Sequence, residues 1–203
     1  MKLVSRKVVL RGVVYVVTFF CFMGILASIE QRRSEATLGT ALSAYLSESV
    51  IHDAHDWGTG APVLIVLQRE AQQPGMWRFR WLYPFDQRLL FAPSAVTTRC
   101  SFVLANLFPG EHKLLLRLPD GVSVVLEGRM LLDKAASSNE FAARFPNSLG
   151  SIAVSRAGVN LGETEAIFYI DHFCGLCGGG RYVLMRKING NWKVVSEHYT
   201  WIS

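Results

Sequence analysis

YVLMRKINGNWKVVSEHYTW, residues 182–201, is the stretch on which the fold turns. Asn189-Gly190 sits between two runs rich in β-branched and aromatic residues, 182–187 and 192–201. Both turn residues tolerate positive φ, which a two-residue type I′ loop requires, so the pair predicts an antiparallel hairpin. Tyr182 and Trp192 are large enough to pair across it as apolar anchors. Trp192 and Trp201 stand nine residues apart. A regular strand therefore points them to opposite faces unless a bulge intervenes.

Outward from the hairpin, residues 165–171 and 151–155 read as further strands, and 138–145 as a short helix stopped by Pro146. Gly178, Gly179 and Gly180 predict positive φ or a close backbone approach at a strand junction. A second hairpin is expected from 113–118 and 122–127, which flank the tight-turn sequence Pro119-Asp120-Gly121. Ser94 has the chemistry of an N-cap, and Val96, Cys100, Val103, Leu104 and Leu107 mark one face of a helix ending at Pro109. Residues 63–67 form a continuous apolar run, as in a buried strand. Residues 76–83 alternate as a second one, with Arg78 and Arg80 on one face. Leu38, Leu42, Tyr45, Leu46 and Val50 recur at helical spacing until a stop at Gly60-Ala61-Pro62. Helices mixed with mainly antiparallel strands, and no regular strand-helix alternation, define an α+β domain over residues 34–203.

The first 33 residues are of another kind. GVVYVVTFFCFMGILASI, residues 12–29, contains no Asp, Glu, Lys or Arg. As a helix it covers about 27 Å, close to the hydrocarbon thickness of a bilayer, and residues 34–51 are expected to continue it with little break. Lys2, Arg6, Lys7 and Arg11 precede the run, whereas Glu30 and Glu35 dilute Arg32 and Arg33 beyond it. That bias places the N-terminus in the cytoplasm and the rest across the membrane. The expected location is the inner membrane, with a single pass and a periplasmic or extracellular body. A cleaved signal peptide is the alternative. The run is longer than a usual apolar signal core, and cleavage after Ala27 would put Ile25 where a small residue is wanted.

The basic balance, net +5 over the chain, suggests nucleic acid at first sight. Residues 1–33 hold six Lys or Arg and one Glu, while residues 34–203 hold fifteen of each sign. The excess belongs to the anchor, and no polybasic footprint for a phosphate backbone remains in the body. Cys21 lies inside the apolar run and reads as a small membrane residue. Cys100, Cys174 and Cys177 lie beyond it, and export makes their oxidation plausible.

Cys174 and Cys177 have the spacing of a disulfide or redox-active dithiol. A thioredoxin-like site needs its first thiolate at a helix N-terminus, and the glycines after Cys177 do not start one. Cys100 is an alternative partner for either thiol. His172 and His198 with the two cysteines make only half of a recognisable zinc pattern, and His52 and His55 share a helical face with few matching ligands elsewhere. No G-x-S-x-G, H-E-x-x-H or P-loop phrase is present, and His112 falls in a loop. No cofactor is implied by these residues.

The C-terminal third carries a resemblance. FAARFPNSLG at 141–150 leads into SRAGVN at 155–160, EAIFYI at 165–170, the glycine-rich 174–180 segment, the hairpin with Lys187, Gly190 and Trp192, and a closing WIS at 201–203. This resembles an uncharacterised family of exported bacterial proteins that close on a phrase of the form "SRVGFN…ALVYV…G.G.Y.LL.K.GKW.V…WIS". Residues 138–203 carry it, with a fainter echo at Phe102 and Asn106. The resemblance implies a fold unit and an exported setting and brings no activity, cofactor or catalytic residue. Gly178, Gly179, Gly180, Trp192 and Trp201 are expected to be architectural. The fold picture is a curled sheet embracing a helix, cystatin-like or nuclear-transport-factor-like. The functional expectation is a membrane-anchored module that binds or supports without catalysing. The alternatives are a periplasmic thiol-disulfide oxidoreductase using Cys174 and Cys177, and a small-molecule hydrolase or isomerase in a sheet cavity.

Overall fold

The computed structural model describes residues 6–50, 63–72, 94–107, 110–129, 139–173 and 178–202. The predicted strand over 76–83 and the His52–Asp56 cluster lie outside them. Helix α1, Arg6–Tyr45, is unbroken for 40 residues and ends in a π-helical turn, Leu46–Val50. From Val13 to Ile29 its apolar side chains are mostly exposed, Tyr15 to 75% and Phe20 to 63%. This segment is long and apolar enough to cross a membrane. From Leu38 onward the same helix enters a protein core. Leu38, Leu42, Tyr45 and Leu46 are fully buried, as their spacing predicts.

That core lies on one face of a seven-stranded mixed sheet built from β1 (Val63–Gln68), β2 (Val122–Glu127), β3 (Ser148–Val154), β4 (Gly158–Val159), β5 (Glu165–Phe173), β6 (Gly178–Ile188) and β7 (Asn191–Ile202). The order is β2-β1-β3-β5-β6-β7, with β4 also on β5. The expected α+β class holds. The sheet is less antiparallel than expected, because β1 pairs in parallel with both β2 and β3. Helix α2, Val96–Ala105, covers the opposite face, where Phe102 packs on Ile167, Tyr169, Tyr182 and Leu184. A short helix α3, Asn139–Arg144, precedes a pocket where Phe145 meets Val66. Covered on both faces, β1 reads as a continuous apolar run instead of an alternating one.

The C-terminal hairpin forms as predicted, with Asn189 at φ 52° and Gly190 at φ 81°. Tyr182 nevertheless faces His198, and Trp192 faces Lys187, whose ammonium lies 4.9 Å from the indole centre. The register slips twice, between Gly180 and Arg181 and between Leu184 and Met185, each time by one extra residue on β7. The two bulges offset one another, so Trp192 and Trp201 end on opposite faces as an unbroken strand would place them.

Three expectations fail where tertiary contacts overrule the local pattern. Residues 113–118 form no hairpin with β2. They run extended along α1, with Leu114, Leu116 and Leu118 turned into the core and the Arg117 N–H donating to Ser43 Oγ at 2.8 Å. The turn itself forms, at Gly121. Helix α2 also presents a different face. Thr98, Ser101, Phe102 and Ala105 are buried, while Val96 and Cys100 are exposed. The small residues let α2 settle onto β4, where a Cβ at Gly158 would collide with the Thr98 carbonyl and the backbone of Phe102. Ser94 does not cap. Glu165 Oε1 does so from β5, accepting from the Ala95 N–H and the Thr98 hydroxyl at 2.7 Å each.

Gly158→Ala therefore forces backbone apart. The expected loss is about 1–3 kcal/mol, the cost of overpacking, read as a lower urea midpoint for the detergent-solubilised full chain.

Candidate functional site

Three places among the described residues are candidates for a site. The first is at the sheet end. Asp171 of β5 faces Gly180 of β6, which faces Trp201 of β7. Tyr169 Oη donates to Asp171 Oδ1 at 2.8 Å, Trp201 Nε1 donates to the same oxygen at 2.9 Å, and Gln72 Nε2 donates to Oδ2 at 2.8 Å. The cluster folds over Gly180, where a Cβ would strike the indole nitrogen, the phenol oxygen and the carboxylate together. Close approach, not positive φ, is therefore what this glycine supplies, since Gly179 and Gly180 keep extended strand backbone.

Tyr169 Oη also lies 3.0 Å from Thr200 Oγ1, and that hydroxyl donates to the Gly180 carbonyl at 2.8 Å. Burial, only partly offset by neutral donors, moves the Asp171 carboxyl upward from its ordinary value.

The second cluster joins α2 to the β3–β4 junction. Asn106 Nδ2 donates to the carbonyls of Phe102 and Arg156, and Asn106 Oδ1 accepts from the Arg156 N–H at 3.0 Å. His112, buried beside it, donates from Nε2 to the Val154 carbonyl at 2.7 Å. Burial lowers its pKa to about 4, with Arg156 contributing in the same direction. The buried Arg156 guanidinium has Glu35 Oε1 3.8 Å from its Nε.

The third place is a groove of about 470 Å³ beside α1, floored by Ala36, Gly39 and Thr40. Arg32, Lys113 and Arg117 border it.

Of the residues singled out from sequence, Cys174, Cys177, His52 and His55 lie outside the described residues. His172 donates from Nε2 to the Leu149 carbonyl at 2.6 Å, and burial lowers its pKa. It stands on the α1 face of the sheet, whereas His198, in register with Tyr182, is exposed on the other. The two imidazoles do not converge on one ion. Cys100 is free on the outer face of α2. Among the described residues no group of three or more His, Cys, Asp or Glu is arranged to hold a metal. Asp171, Gln72 and the groove escaped sequence reading, because each depends on contacts between residues far apart in the chain. Comparison with protein-family models, with curated proteins and with solved structures finds no match.

The two titrating groups act in opposite senses. His112 contributes stability that is present above its ordinary 6.5 and lost as pH falls through about 4. Asp171 contributes stability present below its ordinary 3.8 and lost as pH rises through its raised folded value. In urea titrations across pH, His112→Gln is expected to flatten the acid-side fall between pH 6.5 and 4. Asp171→Asn is expected to remove the opposing loss on alkalinisation; a profile identical to wild type would contradict the assignment.

Proposed function

We propose that this chain is a single-pass membrane protein whose exported α+β domain is a non-catalytic binding or structural module held rigidly at the end of its spanning helix. The observation that carries the reading is the continuity of α1, lipid-suited on one half and core-forming on the other. A spanning helix joined by a flexible linker would let its domain tumble, whereas this one shares its last turns with the domain's own centre. Continuity also supports retention of the segment. Ala27, the residue before the best cleavage position, is fully buried within α1. Three residues on, Glu30 Oε2 accepts from Ser101 Oγ of α2 at 2.6 Å. Arg33 then bridges Glu30, the Asn160 carbonyl and Glu163. The domain thus begins where the apolar run ends, with no spacer. The basic residues before Gly12 support export of the body, and the helix seated on one sheet face suits a curled sheet embracing it.

The binding reading is favoured over a catalytic one by the way buried groups are used. His112, His172, Glu165 and Asp171 each hold backbone or a neighbouring side chain in place. The expected result is that the full chain stays in the membrane pellet after alkaline carbonate extraction and keeps its N-terminal residues by intact mass. An alkaline phosphatase fused after Ser203 should be active. A soluble product shortened by the apolar run, or an inactive fusion, would overturn the reading.

A further inference from the structure

The groove beside α1 is bordered by three cations. It arises where the extended 112–119 segment lies along the helix. Gly39 lets the segment descend, since a Cβ there would sit 2.8 Å from the Leu115 carbonyl oxygen. Alternation turns Leu114, Leu116 and Leu118 inward and leaves Lys113, Leu115 and Arg117 exposed. Ala36 and Thr40 are too short to fill the trough between segment and helix.

Arg32, Lys113 and Arg117 line this trough, and none makes an ion pair among the described residues. The one carboxylate in the lining, Glu35, already faces the buried Arg156. Among the described residues, Arg33, Arg144, Arg181, Arg186 and Lys193 each meet a carboxylate. The exported part is charge-balanced overall, so three like charges in one trough are not a by-product of a basic protein. With Glu35 turned to Arg156, the trough carries an excess of positive charge. A volume of 470 Å³ is in the range of small-ligand sites.

The trough also has an address. Arg32 follows Ile29 by three residues, about 4.5 Å along the helix axis. The Leu115 carbonyl approaches α1 at Gly39, so Lys113, two extended residues back, comes down beside Glu35, about 9 Å beyond Ile29. With the hydrocarbon edge near Ile29, Arg32 and Lys113 fall at or just above the headgroup layer, roughly 5–8 Å deep on each side of a bilayer.

We propose that this groove binds a phosphate-bearing anion, its phosphate held between Arg32 and Lys113 and its outer portion contacted by Arg117. Arginine's planar fork matches phosphate oxygens, and lysine adds a mobile point charge. The chemistry is that of a phosphate ester, supplied either by a lipid headgroup of the adjoining leaflet or by a soluble compound. This inference rests on the membrane-spanning reading.

The test uses the full chain in nanodiscs of zwitterionic lipid doped with phosphatidylglycerol, with co-released lipid counted by native mass spectrometry. Wild type and a control of equal charge loss, Lys187→Gln with Lys193→Gln, should retain phosphatidylglycerol selectively. Arg32→Gln with Lys113→Gln should lower retention about tenfold or more. In a second arm, glycerol 1-phosphate and inorganic phosphate are titrated calorimetrically into the protein in purely zwitterionic discs. Binding there, abolished by the same double variant, assigns a soluble phosphate ester; retention of phosphatidylglycerol without it assigns the lipid headgroup. Equal retention by wild type and double variant, with no soluble binding, overturns the proposal. A chain that fails to embed in the discs overturns the spanning reading instead.

Discussion

One helix has to satisfy two solvents, and the rest of the structure is arranged around that constraint. From Val13 to Ile29, α1 presents mostly exposed apolar side chains, which water tolerates poorly and a bilayer accepts. From Ser34 it narrows to a single stripe, Leu38, Leu42, Tyr45 and Leu46, seated on strands from across the sheet. Each fully buried side chain of this size contributes about 1.5–3 kcal/mol through the hydrophobic effect. The stripe therefore outweighs any single polar contact in the domain. Tyr45 closes it: its ring meets Phe168 edge-on, while its hydroxyl accepts from Arg181 and donates to Glu197, each at 2.8 Å. Burial dominates and pushes that phenol well above its ordinary range, so the group stays neutral.

Buried carboxylates show how local partners decide a charge state. Burial alone would raise Glu165, yet Thr98, the Ala95 N–H and Arg186 together outweigh it and hold its carboxyl below the ordinary value. With Arg186 Nε at 2.8 Å, it is an anion capping the start of α2. Asp171 sits on the same sheet face with no cation among its hydrogen-bond donors, and there burial wins. Glu165 has a guanidinium beside its neutral donors, whereas every donor to Asp171 is neutral.

What could be read in the sequence was whatever is local. Asn189-Gly190 names its own turn, the 63–67 run names a strand covered on both faces, and the Leu38–Leu46 spacing names a core helix. The errors lay where tertiary contact overrules the pattern. Apolar spacing on 96–107 pointed to Val96 and Cys100, but a flat face of Thr98, Ser101 and Ala105 is what lets a helix touch the Gly158 backbone. Residues 113–118 have strand-like alternation, and their apolar side found α1 instead of β2. Ser94 offered a cap that Glu165 supplied from seventy residues away. Asp171 could not be read, because its relation to Trp201 passes through Gly180, on the strand between them.

The recognisable phrase of the C-terminal third proves to be a list of close approaches. Ser155 Oγ accepts from the Tyr169 N–H, Gly158 admits α2, Asn160 shapes the turn gripped by Arg33, Gly180 lies under Asp171 and Trp201, and Trp192 Nε1 donates to Thr40 of α1. Each ties a strand to a helix or to its neighbour. The groove cations Arg32, Lys113 and Arg117, which make no ion pair among the described residues, stand beside the helix that also carries the lipid-suited segment.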